Sequence, residues 1–194
     1  MSGNSQKLKY EQAQAASIAA GIHVGALVKV VAFYPDSMTV DVQPIAQRLT
    51  GGEYATPSQV IGVPVAGTRG GGFIFRPWYK NGDIGAVLYL DHDIDTPLEK
   101  GADCKPNTER CHSDSDAVFI GGIVAGGWVS QGLPEGLVMA TEDGSVYLAV
   151  TPGGIQIQGD VTVTGGDVVA DGISLKQHKH PGVQAGGGMS DKPI

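Results

Sequence analysis

Between Arg110 and Lys176 the chain has no lysine and no arginine, while Asp114, Asp116, Glu135, Glu142, Asp143, Asp160, Asp167 and Asp171 fall in or beside that gap. A surface of that charge repels phosphates and anionic headgroups, and the whole chain carries a net charge of −7. Nucleic acid is therefore excluded as the main partner. Apolar runs approaching the ~20 residues that span a bilayer as a helix are also missing. The first residues, MSGNSQKLKYEQAQAAS, lack the apolar core of a secretory signal. The expectation is a protein made and kept in the cytoplasm until something else carries it out. Two cysteines, Cys104 and Cys111, are too few for a disulfide scaffold. They read either as a disulfide across a short loop or as two free thiols. Beyond Trp128 only Tyr147 is aromatic.

Glycine is what the chain has in plenty: 30 residues, 17 of them in the last 74. That shift points to two architectures in series. Residues 5–20, SQKLKYEQAQAASIAA, hold strong helix formers and stop at Gly21, a fitting C-cap. The apolar stripe there is thin (Leu8, Ala15, Ile18, Ala19), so this arm needs a partner to rest on. From residue 22 the pattern turns to strands. HVGALVKVVAFYPDSMTVDVQPI reads as two β-runs around a YPDS turn, and SQVIGVPVAG as a third. A fourth follows Asn81-Gly82-Asp83, and SDAVFIGGIV is a fifth. Five short strands in about a hundred residues suit a small antiparallel barrel of OB type, ahead of an open sandwich.

After Gly126-Gly127 the β-runs shorten to four to six residues between glycines. Ile155, Ile157, Val161 and Val163 keep one parity, and Gln156, Gln158, Thr162 and Thr164 take the other. Runs this short do not close a core alone. Their apolar face must meet other chains or successive turns of a solenoid, and three chains about one axis would leave no lone edges. A homotrimer is the economical reading.

The tail SLKQHKHPGVQAGGGMSDKPI places His178 and His180 two residues apart, on one side of an extended strand. By itself the pair reads as solvated surface histidines or as half of a metal site. Around a threefold axis it becomes six imidazoles, an octahedral all-nitrogen shell that suits iron(II), with nickel and cobalt as competitors. A filled shell leaves no open position, so such a metal is structural. Ile173 and Leu175 have odd parity and the histidines even, so a bulge or bend near Lys176-Gln177 is expected to re-aim the chain.

Other chemistry is weaker. Asp91, His92 and Asp93 with Cys104, Cys111 and His112 can be drawn as a metal or hydrolase centre, or as a polar loop between two barrel strands. GTRGGGF at 67–73 has the glycines of a phosphate loop, yet no Lys-Ser/Thr and no helix follow; a wide hairpin suits it better. No Ser-His-Asp or paired-carboxylate arrangement stands out, and the chain reads as no enzyme.

The end HKHPGVQAGGGMSDKP resembles the apex of phage central spike proteins, the membrane-piercing tips of contractile tails (baseplate assembly protein V-like). VGALVKVVAFYPDSMTVDVQP, VPVAGTRGGGFIFRPWYKNGDIGAVLYLDHDID and HSDSDAVFIGGIV are similar to the N-terminal barrel of the same proteins. The resemblance implies an all-β chain: a helical or flexible arm over 1–21, an OB-fold barrel over 22–128, an intertwined trimeric β-helix over 129–176 and an iron-binding apex over 177–194. It implies a homotrimer that docks on tail hub and baseplate proteins in the virion and meets the host outer membrane. His178 and His180 become the ligands of one structural iron per trimer, and Pro181 to Gly188 the fold-back that closes the point. The needle is short, about 45 residues from Gly132 to Leu175. The pair Cys104 and Cys111 has no counterpart that the resemblance requires. Three classes of function follow: a piercing device of a phage or a phage-tail-like bacteriocin, a trimeric tail adaptor or receptor-binding tip, and a metal-dependent cell-wall hydrolase. The last would need an open coordination site.

Overall fold

A computed structural model describes residues 2–22, 24–126, 132–179, 182 and 186. The chain divides into two compact units, Met1–Trp128 and Val129–Ile194. The structure is mostly β, and none of its described helices is long and apolar enough to cross a membrane.

The first unit opens with helix α1, Ser2–Gly21, whose side chains from residue 6 to 15 are all exposed. Of the thin apolar stripe that its sequence offers, Leu8 and Ala15 are both exposed. Strands β1 (Gly25–Tyr34) and β2 (Thr39–Pro44) follow, then two small hairpins that flank β5 (Val60–Pro64). The hairpins are β3 (Arg48–Thr50) with β4 (Glu53–Ala55), and β6 (Thr68–Gly70) with β7 (Phe73–Phe75). Strand β8 (Ile84–Tyr89) leads through helix α2 (Asp95–Lys100) to β9 (Ala117–Gly121). The GTRGGGF stretch is thus a hairpin, with Gly71 and Gly72 at positive φ in its turn.

The main sheet has the order β5-β2-β1-β8-β9, every neighbour antiparallel. Alternate residues point inward, so Val28 and Val30, Val40 and Val42, Val63, Val87 and Tyr89, and Ala117 and Phe119 form one core. The register of β1 on β2 slips between Val30 and Ala32, and this bulge adds to the curl of the sheet. Curling brings the two outer strands together, where Val65 and Phe119 form a parallel bridge and the Ala66 amide donates to the Phe119 carbonyl at 2.8 Å. Phe119 lies over Gly85: a Cβ there would stand 2.3 Å from the ring. Tyr79 packs edge-on against Phe119 and Phe33, with centroids 5.2 and 5.5 Å apart.

The second unit begins with a meander of β10 (Leu137–Ala140), β11 (Tyr147–Thr151) and β12 (Gly154–Gln158). Its register pairs Leu137 with Val150 and Val150 with Ile155, and pairs Met139 with Leu148 and Leu148 with Ile157. Six large apolar side chains therefore share one face. Leu137 is 75% exposed and Ile155 71%, and only Ala149 of this unit is buried among the described residues. Gly159, at φ 113°, ends β12, so Val161 and Val163 lie outside the sheet though still exposed. A short hairpin of β13 (Val169–Ala170) and β14 (Ile173–Ser174) precedes the tail.

Candidate metal centre

Two groups of metal-ligating residues compete for this role. The first lies on the long β8–β9 connection, where Asp93, Asp95 and Asp116 bring carboxylate oxygens within 4.8 Å of one another. Asp93 and Asp116 are buried, and their oxygens are already taken. Arg110 donates from Nε to Asp116 at 2.6 Å, and from its Nη2 to Asp116, Asp93 and Asp95 at 2.8, 3.0 and 2.8 Å. The Ile94 amide adds a bond to Asp116, and the Asp95 amide, the Thr108 amide and the Thr108 hydroxyl add bonds to Asp93. A guanidinium fills the place a cation would take. The cluster is a latch that staples the loop to the barrel, and Cys104 and Cys111 on that loop are both free thiols. His112 only approaches Asp91, at 3.6 Å.

The latch makes the barrel acid-sensitive. The Thr108 hydroxyl, with backbone amides and Arg110, holds the Asp93 carboxyl below its usual range, and Arg110 chiefly does the same for Asp116. The unfolded carboxylates take up protons near pH 4, before the folded ones do, so unfolding binds protons there. Their contribution is complete above about pH 4 and is lost as pH falls through the lower folded values. Asp116→Ala should cost about 3 kcal/mol, the low end for breaking a buried pair, because Arg110 remains 27% exposed. Thermal melts should show a drop on the order of 10 °C at neutral pH and a flatter acid limb. An unchanged melt would show that the latch holds nothing.

The second group is the tail. Asp167, on the turn before β13, accepts from the Val168 amide at 2.8 Å and the Lys176 amide at 3.0 Å, and also takes the Ser174 hydroxyl. These contacts, the Ser174 hydroxyl first among them, hold its carboxyl below the ordinary range. Ser174 Oγ in turn accepts from the Gln177 amide at 2.8 Å, and the Ser174 carbonyl from the His178 amide at 3.0 Å. Residues 175–177 form a turn, which is the bend that the parity of the histidines required. Within it the His178 Nδ1 lies 2.9 Å from the Ser174 carbonyl and 3.1 Å from that of Leu175. Carbonyl oxygens only accept, so Nδ1 carries the proton and the neutral ring has its lone pair at Nε2. That is how metal-bound imidazoles are commonly set, and the donor fits a divalent transition metal. His180 lies outside the described residues, as do Pro181 and most of the fold-back.

Sequence reasoning found the histidines but missed Asp167 and Ser174, whose only signal was an Asp-Val and an Ile-Ser flanking a two-residue turn.

Comparison with known proteins covers both ends of this architecture. Residues 28–122, from β1 to just past β9, match the Phage protein Gp138 N-terminal domain. Residues 172–193, which contain His178 and His180, match the GpV Apex motif. Together the two matches cover more than half of the chain. No curated protein matches the sequence. Barrel and tip point to the same place: both matched models are of phage baseplate spike (gpV-like) families, and together they support the resemblance to that family.

Proposed function

We propose that this chain is the central spike of a contractile phage tail, a homotrimer that punctures the host outer membrane when the tail contracts. One observation carries the reading: a C-terminal unit that ends in an apex motif has an apolar sheet face of six residues, of which five are exposed and Leu148 is half-buried. In water such a face needs a partner, and three copies around one axis cover it without lone edges. Residues 129–176 then form a triple-stranded β-helix, and 177–194 its point. Barrel residues 22–128 and the 1–21 arm dock on the tail hub. Support for an OB-type barrel comes from the sheet order β5-β2-β1-β8-β9 and the parallel contact that joins its outer strands.

At the tip, His178 and His180 from each chain would hold one iron(II) ion. When bound, the metal supplies a cross-link between three glycine-rich chain ends and no reaction, since six imidazoles leave no place for a substrate. The role is mechanical, and the chain is no enzyme. Sedimentation and elemental analysis of the purified protein test this together. The expected particle is about 60 kDa, three times the 20.0 kDa chain, with one iron per three chains. A monomer, or a metal ratio near one per chain, would overturn it.

A further inference from the structure

The bend that aims His178 is not made by the histidine's own neighbours alone. Asp167 sits nine residues before Lys176 and reaches across the β13–β14 hairpin to its amide. Its second oxygen takes the Ser174 hydroxyl, and that same hydroxyl caps the turn by accepting from the Gln177 amide. One carboxylate thus ties both ends of the segment 174–176 to the start of the hairpin. The carbonyls of Ser174 and Leu175, which take the Nδ1 proton of His178, belong to that tied segment.

We propose that Asp167 is a positioning residue for the tip metal: through Ser174 and the Lys176 amide it holds the turn whose carbonyls keep His178 as the Nδ1–H tautomer, so that Nε2 is the nitrogen presented to the ion. This rests on the reading of the chain as a metal-tipped trimer. Asp167 does not touch the metal. It acts two hydrogen bonds away, as the outer partners of metal-bound histidines do, and loss of such partners weakens metal binding by about 10–100-fold. With three Asp167 residues per ion, the upper end is expected.

The test uses the full-length trimer stripped of metal by a chelator and titrated anaerobically with iron(II). Nitrogen NMR of isotope-labelled histidine reads the His178 tautomer in the stripped protein, independently of any metal. Wild type should show Nδ1–H. Asp167→Ala should shift His178 toward Nε2–H and bind iron about 100-fold more weakly. Asp167→Asn keeps an oxygen for the backbone amides and should stay within about tenfold of wild type. It also covers the case in which the alanine variant fails to assemble. Asp171→Asn removes the same charge four residues further on and should change neither readout. Wild-type tautomer and affinity in Asp167→Ala would overturn the inference alone, as would equal losses in Asp167→Asn and Asp171→Asn. A wild-type trimer that takes up no iron would overturn the metal-tipped reading and the inference together.

Discussion

Replacing Ile155 and Ile157 together with aspartate should abolish the trimer. Both side chains lie on the apolar face of the β10–β12 meander, beside Leu148 and Val150 in the register. Burying an aliphatic side chain is worth about 1.5–3 kcal/mol, so two in each of three chains contribute about 9–18 kcal/mol to the assembly. That matches or exceeds the whole stability of an ordinary domain. Aspartate also places six unpaired charges where no cation waits, since no lysine or arginine lies between Arg110 and Lys176. Sedimentation of the variant should show a chain of 20.0 kDa in place of the trimer. The core of the first unit (Val28, Val40, Val87 and Phe119) shares no residue with this face, so a cooperative melt of that unit should survive. A variant that still sediments as a tight trimer would place the interface elsewhere.

That face shows how far the sequence could be read. The runs that became β1, β2, β5, β8 and β9 were legible as short β-runs between turn signals, and in β2 the residues TVDVQ (39–43) alternate polar with apolar, as a wall with one wet and one dry side requires. The same alternation marked Ile155 and Ile157, and it carried on to Val161 and Val163. Strand β12 stops sooner, at Gln158, with Gly159 at a φ of 113° just past its end. The hairpin β3–β4 has no counterpart among the β-runs read from the sequence: three residues a side are too few to show a period, and only Gly51-Gly52, both at positive φ, hinted at its turn. Helix α2 escaped notice for a related reason. Six residues carry no stripe, and it is held by Gly101 as a left-handed cap and by Asp95 on Arg110.

Side-chain pairings across distance were the hardest to see. Sequence shows that Asp93, Cys104, Cys111 and His112 share one loop, but not that Arg110 folds back 17 residues to occupy the carboxylates. Tertiary geometry decides which cation fills an acidic pocket, and here a guanidinium is covalently supplied. At the tail the conflict of parity between Leu175 and His178 was legible, and so was the need for a bend. What makes the bend, Asp167, stands eleven residues before the histidine, beyond the reach of any local turn rule.

Replacing His178 and His180 together with alanine should remove the metal entirely and leave the trimer assembled. Two substitutions per chain delete all six proposed ligands at once, and imidazole is the donor that a divalent transition metal would hold here. Among the described residues near the tip, Asp167 is committed to Ser174, Lys176 and Val168, and Gln184, the one polar side chain of residues 181–188, is a weaker donor than imidazole. Elemental analysis should fall from one iron per three chains to background. The apolar face of β10–β12 lies at residues 137–158, twenty or more positions before the histidines, and its contacts do not depend on them. Particle mass should therefore stay near 60 kDa, three times the chain. Unfolding should speed up at the tip first: with the cross-link gone, proteolysis should clip the last residues while leaving the sheet protected, because glycine-rich termini fray unless tied down. Penetration of outer-membrane vesicles should fall only as far as a rigid point matters. Retention of metal by the double variant would move the ion away from the apex. Loss of the trimer along with the metal would make the ion, and not the apolar face, the element that holds the three chains together.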